Sequence, residues 1–210
     1  MVRGDLFFQA VAIPYELVTR HPVWELDCAR MAAELPAACD RAVDIGCGPG
    51  NSATHLRDKV PSVVALDPAR SMLRRARRRD ARLALVCADA RRLPLRDGSV
   101  DAVTLHSVLY LLRDRAAALA EIARVLRPGG RAVLLEPRDA QGATRKGLRR
   151  ALRRPWWALT AALWRVVSGW YGRLAPDELR DLLERAGLRV LKMEEALDGL
   201  GVLAVAERRG

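Results

Sequence analysis

Ten residues near the start of the chain constrain its fold more than any others. Arg41–Ile45 is a β-type run whose fourth residue, Asp44, is a carboxylate, and Gly46, Gly48 and Gly50 follow at alternate positions. Helix-forming residues then run from 51 to 58. A strand that passes through glycines into a helix is the opening unit of a sheet flanked by helices, because a glycine lets the backbone turn sharply and approach a ligand that a Cβ would hold off. The spacing is GxGxG with an acid two residues ahead of the first glycine. It departs from the GxGxxG of dinucleotide folds, where a helix N-terminus holds a pyrophosphate. A carboxylate beside the turn disfavours an anion there and favours a cation.

The alternation continues. A helical region at 23–34, closed by Pro36, precedes the first strand, and further strands are expected at 62–66, 83–87, 102–106 and 132–136. An Arg-rich helix at 69–79 and a helix at 113–126 separate them, the second ended by Pro128-Gly129-Gly130. The last third changes pattern: a helix at 176–186 capped by Gly187, then strands at 188–193 and 202–206 joined by a short loop around Asp198-Gly199. A parallel crossover needs about a dozen residues or more, so these two strands form an antiparallel hairpin. The expected class is α/β, a Rossmann-like doubly wound sheet in three α/β/α layers. With 210 residues the chain has the length of one domain, divided as an N-terminal helical cap (1–40), a core (41–137), an insert (138–175) and a C-terminal helix with hairpin (176–210).

Two further strands end on acids. Asp67 closes the run Val63-Val64-Ala65-Leu66, the position from which a carboxylate accepts both ribose hydroxyls of a nucleoside. Met72, on the following helix, offers a flexible apolar side chain to a purine face. Asp89 follows Cys87-Ala88 and is placed to accept from an exocyclic amino group. Each acid alone is more often a helix N-cap or a solvated loop residue, with Asp67 before Pro68 an example. Three at successive strand ends on one sheet edge point to a ligand.

The segments VDIGCGPG at 43–50, ALDPARSML at 65–73, CADARRLPLRDGSVDAVTLHSVLYLL at 87–112 and EIARVLRPGGRAVLLEP at 121–137 together resemble the class I S-adenosylmethionine-dependent methyltransferases, in the branch that includes the ubiquinone and menaquinone C-methyltransferases. The resemblance implies a seven-stranded sheet with a reversed last strand. It also implies that Gly46, Cys47, Gly48 and Gly50 cradle the methionine part of S-adenosyl-L-methionine with Asp44 near its ammonium group. Asp67 with Pro68 would then hold the ribose, Met72 flank the adenine, and Asp89 with Ala90 read the adenine edge, while His106 lines the methyl-transfer site. The product would be S-adenosyl-L-homocysteine.

Transfer of a sulfonium methyl is an in-line displacement, so alignment and exclusion of water are the protein's main contributions. An acceptor hydroxyl or ring carbon also needs a base, and His106 is the candidate by location and by its ordinary pKa. Tyr15, in Pro14-Tyr15-Glu16 ahead of His21-Pro22-Val23-Trp24, is the second candidate facing the acceptor. The gap from Tyr15 to His21 is shorter than in the quinone signature, Glu16 stands for its Asp, and the fifth strand ends Glu136-Pro137 without the acid-Phe-Ser of that group. These departures argue against a quinone as acceptor.

The charge of +11 is localised: 138–175 holds nine basic residues and one acid, +8 of the total, with Trp156, Trp157, Trp164, Trp170 and Tyr171. On a helical wheel positions 156, 157, 159, 160, 163, 164, 167, 170 and 171 form one broad apolar face with Arg165 opposite. Three readings stay open: a lid helix packing that face on the active site, a helix lying on an anionic membrane through 145–171, and an RNA contact, which ranks last because no RNA-binding module accompanies it. The Arg70 to Arg82 cluster reads as a solvated face. Cys28, Cys39, Cys47 and Cys87 have no metal-ligand spacing, so free thiols and no metal are expected. No signal peptide or apolar run of about 20 residues is evident, and a cytoplasmic protein, peripheral at the inner membrane face, is expected. The expected activity is methyl transfer to a hydrophobic small-molecule or lipid-like acceptor, against the alternatives of RNA methylation or a non-catalytic S-adenosylmethionine-binding protein.

Overall fold

The computed structural model describes Thr19, residues 21–139 and residues 155–210. Tyr15 and the basic run 145–154 lie outside the described residues. The helices are α1 (Pro22–Ala33), α2 (Asn51–Arg57), α3 (Arg70–Arg79), α4 (Arg115–Val125), α5 (Pro155–Tyr171) and α6 (Pro176–Arg185). The strands are β1 (Arg41–Ile45), β2 (Ser62–Leu66), β3 (Ala84–Val86), β4 (Val100–His106), β5 (Leu126–Pro137), β6 (Leu188–Ala196) and β7 (Gly201–Arg208). They form one sheet in the order β3-β2-β1-β4-β5-β7-β6, with β1 to β5 parallel and β7 antiparallel to both its neighbours. This is the expected doubly wound sheet with its reversed last strand.

Local chemistry sets the ends of several elements. Pro22 opens α1, where the His21 ring accepts from the Val23 amide at 3.2 Å, and Asp114 caps α4 by accepting from Ala117 at 2.9 Å. The sequence places the fifth strand at 132–136, but β5 begins at Leu126. That residue pairs with Val100, and the register shifts across Pro128-Gly129-Gly130 before Arg131 pairs with Ala102. The turn residues are absorbed as an irregularity inside the strand.

Because side chains alternate across a strand, the sheet sorts its residues into two layers. Val43, Ile45, Val103, Leu105 and Leu134 face α4 and α6, packing on Leu119, Ile122, Leu179 and Leu183. Ala42, Ala102, Val133 and Leu135 face α1 and α5, packing with Val23, Trp24, Met31, Trp157 and Trp164. Each large apolar side chain fully buried this way contributes about 1.5–3 kcal/mol. Asp44, Thr104 and His106 continue the second face, so the alternation that builds the core delivers three polar groups under α1.

The apolar helix of the insert does not present one broad face. Trp157, Thr160, Ala161, Trp164 and Ser168 are buried, whereas Trp156, Leu159, Leu163, Val166 and Trp170 are exposed on the other side. Arg165 is not the solvent pole of the wheel: it is partly buried and donates to the Arg138 carbonyl at 2.8 Å. The helix buries the side that meets Trp24, and its composition, apolar all round, could not tell which side that is.

Candidate functional site

The site lies at the carboxyl ends of β1, β2 and β4, where α1 crosses them. In register, Asp44 sits beside Thr104 on β4 and Ala65 on β2. Thr104 Oγ1 donates to Asp44 Oδ1 at 2.7 Å, while Asp44 Oδ2 is buried without a hydrogen-bond partner. Burial pushes the Asp44 carboxyl up to about 7, against the lowering effect of the Thr104 hydroxyl and the Ala53 amide, and the nearby Asp67 charge adds to the rise. A cation entering here would meet a ready acceptor and pull Asp44 into its charged form.

The glycine turn is built around a second carboxylate. Asp67, also buried, accepts from the Gly48 amide at 2.9 Å through Oδ2 and from the Ala69 amide at 2.8 Å through Oδ1. Gly46 has φ +66°, and a Cβ there would come within 2.5 Å of Val108 Cγ2. The backbone therefore requires glycine on two counts. Pro68 follows Asp67 directly, and Cys47 is buried between the glycines with its amide bonded to the Leu66 carbonyl at 2.9 Å.

His106, the last residue of β4, is buried. Trp24 of α1 stacks on its ring, with centroids 4.2 Å apart and planes 16° from parallel. Cys28 Sγ lies 3.4 Å from His106 Nδ1, and His106 Nε2 is buried without a partner. Burial alone lowers the imidazole to about 3, so it is neutral at pH 7. Trp24, His106, Gly46, Cys47, Asn51 and Ser52 line a small, partly open pocket between α1 and the glycine turn.

The acids reach different environments. Asp89 is half-exposed and held by Arg91, whose Nη2 donates to it at 2.6 Å, and this pair keeps its carboxyl below the usual range. Asp89 would have to share or release Arg91 to read a base edge. Met72 is packed in the interior, and Ala90 is buried against the cluster that holds Leu93.

Sequence reasoning passed over Glu136. The penultimate residue of β5, it is fully buried and accepts from the amides of Val108, Leu109 and Tyr110 at 3.0, 2.8 and 3.2 Å. Burial raises its carboxyl to about 7 although those three amides oppose the rise. It anchors the loop after β4, which starts at Ser107 with φ +59°, a left-handed backbone rare outside glycine, and which presses Val108 on Gly46. The available signal was an acid at a strand end on the same sheet edge as the other three.

Residues 43–134 match the methyltransferase domain family. Over 97 residues, 46% of this chain, the sequence is 42% identical to a demethylmenaquinone methyltransferase of Beutenbergia cavernae, of which the match covers 40%. A demethylmenaquinone methyltransferase of Thermus thermophilus is 32% identical over 223 residues, covering 96% of this chain and 99% of that protein. The chain belongs to the class I S-adenosylmethionine-dependent methyltransferases. It spans between 30% and 40% of the length of the first curated relatives it matches. The fold superposes on an S-adenosylmethionine-dependent methyltransferase of Thermotoga maritima with a TM-score of 0.70, 21% identity, and coverage of 98% and 99% of the two chains.

The residues present fit this cofactor. Its methionine part carries an ammonium and its sulfur a positive charge, and the protein supplies a buried carboxylate oxygen with no partner, Asp44 Oδ2, beside the glycine turn. Among the described residues no group of three or more His, Cys, Asp or Glu is arranged to hold a metal ion, and Cys28, Cys39, Cys47 and Cys87 are free thiols.

Proposed function

We propose that this methyltransferase domain transfers the methyl group of S-adenosyl-L-methionine to a hydrophobic small-molecule or lipid-like acceptor, leaving S-adenosyl-L-homocysteine. Bound, the cofactor supplies a methyl on a cationic sulfur that is neutralised as the methyl leaves. The observation that carries the reading is the second oxygen of Asp44, a buried acceptor lacking a donor. Asp44, Gly46, Cys47, Gly48 and Gly50 would bind the methionine part, Asp67 and Pro68 the ribose, and Asp89, Ala90 and Met72 the base.

His106 and the acceptor meet under an aromatic roof. Trp24 and Trp164 stand edge to face, with centroids 5.9 Å apart, so the wall toward α5 is apolar, and the names of two relatives, both demethylmenaquinone methyltransferases, accord with an acceptor of that character. His106 Nε2 would accept a hydrogen bond from the acceptor. For it to take a proton as well, Trp24 must move and let water raise its basicity, while Tyr15 remains the second candidate for that task. The acceptor would be reached at the face of an anionic membrane.

The reading is tested by incubating the purified chain with methyl-labelled cofactor and a total cell extract and fractionating the products. Label in the lipid-soluble fraction supports it; label confined to RNA or to the aqueous fraction overturns the acceptor class.

A further inference from the structure

The geometry points to the outward face of α5 as a docking surface for an anionic lipid bilayer. This deepens, and rests on, the proposed lipid-like acceptor. Trp156, Leu159, Leu163, Val166 and Trp170 are 56%, 63%, 47%, 54% and 74% exposed. Their spacing of three and four residues draws one stripe along the helix, about 21 Å long at 1.5 Å per residue. The opposite side of the same helix is buried against the core, so both sides are apolar and only one is covered. A helix of this kind on a protein surface calls for an apolar partner.

Several observations select a bilayer. The 17-residue helix has no acid, and its one charged residue, Arg165, is turned inward to the Arg138 carbonyl, so nothing charged interrupts the stripe. Tryptophans stand at both ends of the stripe, the residue type favoured where hydrocarbon meets headgroups. The six basic residues Arg145, Lys146, Arg149, Arg150, Arg153 and Arg154 immediately precede the helix in sequence with no acid among them, the complement of an anionic headgroup layer. A second copy of the chain is disfavoured by charge, because it would bring together two chains that each carry a net +11. Five side chains are also few against the 20–30 residues per side of a stable protein interface. No described helix is long and apolar enough to cross a membrane, so α5 would lie in the headgroup plane.

The docked face leads to the site. Trp164, on the buried side of α5, meets Trp24 edge to face, and Trp24 covers His106; Trp157 packs on His21 with centroids 4.7 Å apart. A bilayer beneath the stripe would thus lie one helix away from Trp24 and the His106 ring it covers.

The test is vesicle flotation of the full chain with phosphatidylcholine alone and with phosphatidylcholine containing 30% phosphatidylglycerol, a composition on the order of an anionic leaflet. Wild-type protein is expected to float with the anionic vesicles only, less so at high salt, and the double variant Trp156→Ala, Trp170→Ala is expected to bind at least tenfold more weakly while its cofactor affinity by calorimetry is unchanged. Equal flotation of the double variant overturns the proposal. So does a concentration-dependent dimer in sedimentation that Leu163→Glu abolishes, when vesicles are not bound. Vesicle binding without label in any lipid-soluble product would leave the docking face standing and sink the acceptor reading; label in lipid with no vesicle binding would do the reverse.

Discussion

The indole of Trp24 lies flat on the imidazole of His106, 4.2 Å between centroids, and keeps that ring dry. Replacing Trp24 with Ala admits water, and the His106 pKa should climb from about 3 toward its ordinary 6.5. Truncating a buried Trp costs about 3–5 kcal/mol, so Trp24→Phe is the companion variant that keeps a ring in place. Side-chain NMR titration of the three histidines checks the outcome: a His106 that stays neutral down to pH 4 in Trp24→Ala would show that other groups desolvate it.

Asp44 separates stability from binding. Its carboxyl titrates near 7 in the fold and near 3.8 when unfolded, so between those values the folded state holds the extra proton and its contribution to stability is lost as pH rises through about 7. Asp44→Asn removes that loss. The variant should gain melting temperature over wild type progressively from pH 4 to pH 7, by about 2–4 °C for each 1 kcal/mol, and hold the gain above. Cofactor affinity should fall at least tenfold, about 1.4 kcal/mol. Melts across pH together with calorimetry decide it; a variant no more stable at pH 8 than at pH 4, relative to wild type, contradicts the burial argument.

Asp67→Ala should weaken cofactor binding by tenfold or more, about 1.4 kcal/mol. It should also destabilise the fold by about 1–3 kcal/mol, since the Gly48 and Ala69 amides lose their acceptors. Unchanged calorimetric affinity would remove Asp67 from the cofactor site.

Glu136→Gln tests the anchor beneath the loop after β4. One oxygen cannot replace two for three amides, and the neutral side chain also loses the charge-assisted part of those bonds. Amide hydrogen exchange at Leu109 and Tyr110 is expected to accelerate at least tenfold, with turnover falling more than cofactor affinity. Exchange rates equal to wild type would show that the loop is held by packing alone.

Much of this was legible because it is local or periodic. The glycine turn, the strand-end acids and the closing hairpin all follow from turn chemistry and a period of two. The partnership of Asp44 with Thr104 was not, since it needs the register of two strands 60 residues apart. Glu136 hides for the same reason: its partners are amides, which every sequence has. The two sides of α5 are compositionally alike, and only contact with Trp24 distinguishes them. For Met72 and Asp89 position alone marked the residues, whereas the burial of the first and the Arg91 pairing of the second needed the fold.

The two backbone bonds of Asp67 carry a thermodynamic consequence. By tying the turn after β1 to the turn after β2 through the protein's own amides, they place the cost of ordering the glycine turn in folding. Preorganisation of this kind leaves more of the contact energy to appear as affinity, and it couples cofactor binding to the integrity of the β1–β2 edge. Substitutions that loosen that edge should therefore weaken the cofactor without touching it.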